Sequence, residues 1–266
     1  MKIGIFDSGL GGLFVMKGIG KKLPKYDYVY LGDTLHLPYG DRSPEMIYQL
    51  LKNGVEYLFK KNCKLIIVAC NTASAKALRQ IQQEYLPEHY PDRRVLGVII
   101  PAIEESLDAK RVGVLGTMAT VESKTYIKEF KKAAPKIRVF QQAAPLLVPF
   151  IENGEWELIK PVLKEYLEPL ISKDIDTLVL GCTHYPLIKD EVKNIVGKNI
   201  RVVCQDEFIH RKLKEYLDRH PEIDSKLTKK GTREFLITEK TDHFEKLAKS
   251  WFSKKIELKV VELPSL

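Results

Sequence analysis

The chain has 266 residues, of which 44% are hydrophobic and 29% charged. That balance excludes a disordered or fibrous protein and gives room for one large domain or two small ones. No stretch nears the roughly 18 consecutive apolar residues of a membrane-spanning helix. The opening Met1-Lys2-Ile3-Gly4-Ile5-Phe6-Asp7 is too short, and too soon interrupted by Asp, for a secretory signal, so the cytoplasm is the expected location. The net charge of +8 is spread widely, as in Lys124, Lys128, Lys131, Lys132 and Lys136. It reads as a solvated surface, because no helix-turn-helix, zinc-finger or RRM signature accompanies it. Nucleic acid is therefore not an expected partner.

Apolar, β-rich runs alternate with helical patterns along the whole chain. The predicted strands are Lys2–Phe6, Tyr26–Leu31, Leu65–Ala69, Arg94–Ile100, Arg111–Leu115, Ile137–Gln141, Thr177–Leu180, Arg201–Cys204, Glu234–Ile237 and Glu257–Val261. Several are apolar almost throughout, which suits strands of a parallel sheet covered on both faces. Between them, Pro44–Lys61 and Trp156–Ile171 carry apolar residues at i, i+3 and i+4. The alternation predicts an α/β architecture. Pro101, straight after the fourth run, reads as a helix start and a crossover point.

The segments that follow the strands carry the candidate chemistry. After the first come Asp7-Ser8-Gly9-Leu10-Gly11-Gly12, a tight turn that matches neither the P-loop nor the dinucleotide fingerprint. Pro38-Tyr39-Gly40 follows the second, with His36 close by. Cys70-Asn71-Thr72 follows the third, Thr117 and Thr120 the fifth, and Cys182-Thr183-His184 the seventh. In open α/β sheets this edge is where ligands bind.

Two of these segments echo each other. Val68-Ala69-Cys70-Asn71-Thr72 and Leu180-Gly181-Cys182-Thr183-His184 are each a buried strand, a Cys, hydrogen-bonding residues and then a helix, 112 residues apart. A helix N-terminus offers unpaired N–H groups and partial positive charge, which is expected to stabilise a thiolate. Two facing copies of one α/β unit would set these cysteines across a cleft. The bland alternative is two buried thiols beside ordinary helix caps. Cys63 and Cys204 lack the polar follow-on residues and read as structural. No C-x-x-C pair or metal-ligand spacing is present, so no metal is expected.

Taken together, Gly4–Gly12, Pro38-Tyr39-Gly40, Cys70-Asn71-Thr72-Ala73 and Gly181-Cys182-Thr183-His184-Tyr185-Pro186 resemble the motif set of the glutamate racemases, in order and spacing over nearly the whole chain. Val114–Thr117 with Thr120, and Pro149-Phe150-Ile151-Glu152-Asn153-Gly154, are similar to this family as well. The resemblance implies two pseudo-symmetric α/β domains with the active site between them. They are placed at 1–97 plus 208–266 and at 98–207. It implies cofactor-independent interconversion of L- and D-glutamate, supplying D-glutamate for peptidoglycan. Cys70 would take the proton from D-glutamate and Cys182 from L-glutamate, assisted by Asp7 and His184 respectively. Asp7, Ser8, Pro38, Tyr39, Gly40, Asn71, Thr72, Thr117, Thr120, Thr183 and His184 would contact substrate. A homodimer is implied, and gyrase binding is left open. One departure stands out: Cys204-Gln205-Asp206 replaces the family's usual Asp-Ser pair. Competing readings are racemisation of aspartate or another acid, a non-catalytic module that closes on an acidic metabolite, and a nucleic-acid- or gyrase-binding protein.

Overall fold

The computed structural model describes residues 1–264. Its ten strands are β1 (Lys2–Asp7), β2 (Tyr28–Gly32), β3 (Cys63–Val68), β4 (Arg94–Gly97), β5 (Arg111–Gly116), β6 (Arg138–Ala143), β7 (Thr177–Gly181), β8 (Arg201–Cys204), β9 (Arg233–Ile237) and β10 (Leu258–Val260). All ten predicted runs are strands. The fourth ends sooner than expected, because Ile99 and Ile100 open a helix, Ile99–Glu104, with Pro101 in its first turn. Proline fits there, where its missing N–H has no intrahelical partner to lose.

The strands form two sheets, ordered β10-β9-β2-β1-β3-β4 and β6-β5-β7-β8. Every pairing in both sheets is parallel. The order β2-β1-β3-β4 is repeated by β6-β5-β7-β8, so β3 corresponds to β7 and β1 to β5. The strand order reverses direction at β1 and at β5, and such switch points open a crevice at the carboxyl ends of the strands. β9 and β10 extend the first sheet beyond β2, and the second has no counterpart to them among the described residues.

Strands buried on both faces need a core on each side. Phe6, Val29, Leu31, Ile66 and Val68 pack on the helix Pro44–Lys60, which buries Ile47, Leu50, Leu51, Val55, Leu58 and Phe59. Each such side chain contributes roughly 1.5–3 kcal/mol. Ser43 caps that helix by accepting from the Met46 N–H, and Asn62, in left-handed conformation, follows its end. The opposite face of the first sheet, through Ile3, Ile5, Tyr28, Tyr30, Leu65 and Ile67, shares one continuous core with Leu115, Leu178 and Leu180 of the second. A third cluster, with Val112, Val114, Val179, Tyr126 and Phe130, covers the second sheet's other face. The shared core fixes the two sheets against each other, and that relation sets the site. No helix among the described residues is long and apolar enough to cross a membrane.

Candidate active site

Cys70 follows β3 and Cys182 follows β7, at corresponding positions of the two sheets. Both are buried, at 4% and 7% exposure. The loops around them meet across the two sheets. The Thr72 hydroxyl lies 2.9 Å from that of Thr117, which is 3.0 Å from that of Thr120. A Cβ on Gly40 would lie 3.6 Å from the Thr117 Cβ. A Cβ on Gly11 would lie 2.5 Å from the Thr183 hydroxyl oxygen and 2.7 Å from Nδ1 of His184. Only a residue without a side chain allows that approach.

Cys70 is the N-cap of the helix Asn71–Lys76, and its Sγ accepts from the Ala73 N–H at 3.4 Å. The helix start was expected to favour a thiolate. The fold does the reverse. Burial pushes the Cys70 thiol up to about 12, the charge of Asp7 adds to this, and hydrogen bonds from Ser8 and Ala73 only partly offset it. One long N–H···S contact from a short helix is outweighed by the loss of water and a nearby carboxylate.

Asp7 ends β1 and is fully buried. Its Oδ2 accepts from the N–H groups of Gly9 and Gly12 at 3.1 and 2.9 Å, while Oδ1 has no hydrogen-bond partner. Burial raises its pKa against the pull of the His184 charge and of those two N–H groups. A buried carboxyl oxygen without a partner beside a buried thiol is a group poised to hold a proton.

On the other side, Nδ1 of His184 lies 3.8 Å from Sγ of Cys182, and Nε2 lies 2.8 Å from Oε1 of Glu152. Burial by itself would lower the pKa of this histidine. The hydrogen bonds with Cys182 and Glu152 reverse that and raise it well above 6.5. The ring is therefore an imidazolium near neutral pH, with an N–H directed at each neighbour. Trp251 packs edge-on against it, with ring centroids 5.7 Å apart. Glu152 and Trp251 were not assigned roles from the sequence. The Pro149–Gly154 motif marks the neighbourhood of Glu152, but no spacing rule pairs it with a residue 32 positions later.

The remaining expected contacts fall into two groups. Ser8 hydrogen-bonds to Cys70, Thr183 reaches Asp7, and Thr72, Thr117 and Thr120 form one hydroxyl chain beside Gly40 of the Pro38-Tyr39-Gly40 segment. The Tyr39 hydroxyl, however, turns inward and donates to Asp33 at 2.6 Å. The fully buried Asp33 also accepts from Thr238, and its carboxylate lies 2.8 Å from Nδ1 of His36. His36 thus braces the loop. The Asn71 carboxamide is tied into a buried network. Its amide donates to Gln205 at 3.1 Å, and its carbonyl accepts from Gln205 at 2.8 Å and from Tyr126 at 3.0 Å. Its second amide N–H and its backbone N–H, at the helix start, take no part in this network. Cys63 and Cys204 are also buried, at the start of β3 and the end of β8. A separate cavity of about 700 Å³, lined by Lys76, Arg79, Glu104, Lys212 and Tyr216 among others, touches neither site cysteine.

The Asp/Glu/Hydantoin racemase family profile matches residues 24–204. A glutamate racemase of Aquifex aeolicus is 40% identical over 98% of this chain and 97% of its own. The crystal structure of a glutamate racemase isoform from Bacillus anthracis superposes with a TM-score of 0.90 at 33% identity, covering 99% of this chain and 98% of that one. The glutamate racemase of Francisella tularensis in complex with D-glutamate superposes with a TM-score of 0.88 at 30% identity, over 98% and 97%. The paired cysteines, the repeated strand order and these likenesses agree, and the chain belongs to the glutamate racemases of the Asp/Glu/Hydantoin racemase family.

Proposed function

We propose that this protein interconverts L- and D-glutamate by proton removal at one face of Cα and proton delivery at the other. The observation that carries the reading is the pair of cysteines at the ends of β3 and β7, with Asp7 beside one and His184 beside the other. The relative that binds D-glutamate supports the choice of substrate.

Inversion needs two acid/base groups, because a single base returns the proton to the face it came from. In the L-to-D direction Cys182, as thiolate, takes the Cα proton, and the Cys70 thiol gives its own to the opposite face. The enzyme is left with a Cys182 thiol and a Cys70 thiolate, and the reverse turnover restores the starting state. The His184 imidazolium holds an N–H toward Sγ of Cys182, so charge formed there meets a donor. Asp7 takes up or orients the proton of Cys70. In the D-to-L direction, a substrate ammonium group brought near Asp7 would offset the share of the Cys70 shift that comes from the Asp7 charge, the larger share coming from burial.

General acid–base catalysis supplies about 10²–10⁴-fold, too little by itself for so weak a carbon acid. The rest is electrostatic. Backbone N–H groups at the starts of the helices, with the hydroxyls of Ser8, Thr72, Thr117, Thr120 and Thr183, would hold the α-carboxylate as charge builds on it. The side chains and backbone of the chain supply every group in this scheme, without a cofactor. We further propose two units, 1–97 with 208–266 and 98–207, that close over substrate, a homodimeric assembly, a cytoplasmic location, and a role in supplying D-glutamate for peptidoglycan.

The test is incubation with each enantiomer of glutamate in D₂O, with NMR of Cα exchange and circular dichroism of inversion. Wild type should do both. Cys70→Ser and Cys182→Ser should each lose racemisation by about 10²–10⁴-fold. Absence of exchange with both enantiomers would sink the assignment, and exchange with aspartate alone would redirect it.

A further inference from the structure

Gln205 is the first residue of the helix that follows β8, and it is 2% exposed. Asn71, also 2% exposed, immediately follows Cys70. The two carboxamides form a reciprocal pair, Asn71 donating at 3.1 Å and Gln205 at 2.8 Å. The Tyr126 hydroxyl donates at 3.0 Å to the same Asn71 oxygen, so both of its lone pairs are engaged. All three side chains are shut off from water, so a lost partner is not replaced by solvent.

The pair joins the two thiols through a short, stiff path. Cys204 stands in register with Leu180 on the neighbouring strand β7. Gln205 is thus one strand over from Gly181, the residue before Cys182. Its amide then reaches across to the residue after Cys70. On the other flank of the same turn, Thr72 meets Thr117. We propose that Gln205 is a positioning residue. Its buried amide pair with Asn71 sets the Cys70 turn against the β7–β8 edge that carries Cys182, and so fixes the separation of the two acid/base groups. The kinetic part of this inference rests on the racemase reading above, and the placement of Cys70 does not.

Proton transfer is steeply sensitive to position, and a misplacement of about 1 Å can cost 10²-fold. Gln205→Met keeps the volume and removes both hydrogen bonds. Its kcat should fall by about 10- to 100-fold in both directions, with KM changed less than about threefold. Tyr126→Phe, which removes one bond to Asn71, should give a smaller loss of about threefold. It carries the test if Gln205→Met does not fold. A second readout needs no turnover. Iodoacetamide alkylation of each cysteine, followed by mass spectrometry without substrate, should show Cys70 labelled about tenfold faster in the variant, with Cys63 and Cys204 unchanged. Unaltered kcat, or labelling of Cys63 and Cys204 rising in step with Cys70, would overturn the proposal, since the latter marks general loosening. If wild type fails to turn over glutamate while the selective change at Cys70 persists, the racemase reading fails and the positioning role stands.

Discussion

His184 and Glu152 are 32 positions apart in sequence, yet Nε2 of the one lies 2.8 Å from Oε1 of the other, while Nδ1 of the same ring faces Sγ of Cys182. The carboxylate fixes the ring's orientation and, together with Cys182, raises its pKa well above 6.5. Glu152→Gln keeps the shape and removes the charge. The His184 pKa should then fall toward 6.5, and the alkaline limb of the kcat profile should move toward neutral pH. Activity at pH 8 should drop by about tenfold or more. Rates across pH 6–10 for both variant and wild type check this, and an unmoved alkaline limb would remove Glu152 from the mechanism.

Gly11 marks a close approach of the first sheet's loop to Thr183 and His184. Gly11→Ala inserts a Cβ where no space exists. The strain should lower stability by about 1–3 kcal/mol, and the displacement of His184 should lower kcat by about 10²-fold. Denaturant melts and initial rates separate the two effects. An alanine variant with full activity would show that this contact is not needed in turnover.

Asp33 gathers Tyr39, His36 and Thr238 beneath the Pro38-Tyr39-Gly40 loop. Asp33→Ala leaves the buried Tyr39 hydroxyl without its acceptor, at a cost of about 1–3 kcal/mol. With the loop released, KM for glutamate should rise severalfold more than kcat falls. Steady-state kinetics with calorimetric melting tests this, and a change confined to the melting temperature would limit Asp33 to stability.

Alkaline pH should unfold the protein through its thiols. Burial raises Cys63 from 9 to about 12, Lys2 and Arg93 only partly opposing it. Between these values the folded state keeps a proton that the unfolded chain has lost, so stability falls as pH rises. One such group gives a slope of about 1.4 kcal/mol per pH unit. Cys63→Ala should flatten the decline between pH 9 and 10.5 by that amount, while lowering stability at pH 7 through the cavity it leaves. Urea denaturation at several pH values measures both. An unchanged slope would show that folding does not raise the pKa of Cys63.

Much of the architecture was legible in the chain because parallel strands covered on both faces must be apolar nearly throughout, as Leu65–Val68 and Leu178–Leu180 are. Helix and strand boundaries were less so. Val98-Ile99-Ile100 continues an apolar run, but the helix Ile99–Glu104 takes it over, since tertiary packing overrides β propensity there. The echo around Cys70 and Cys182 was visible because equivalent strand-to-helix turns demand similar residues. The partners of those turns were not. The motif around Glu152 and the departure at Gln205 mark two neighbourhoods without naming a partner, and nothing in the pattern around Asp33 shows that it braces the Tyr39 loop.

The sequence by itself determined the parallel α/β units, the two cysteines at corresponding strand ends and the likeness to one family, since all three follow from local pattern and order. Only the tertiary structure decided which charges meet at the thiols. It set Asp7 beside Cys70 under full burial, holding that thiol protonated where the helix start alone suggested a thiolate. It also placed Glu152 behind His184 and tied Asn71 to Gln205. Ionisation depends on water access and on charges brought close through space, and neither is written in the spacing of residues along a chain.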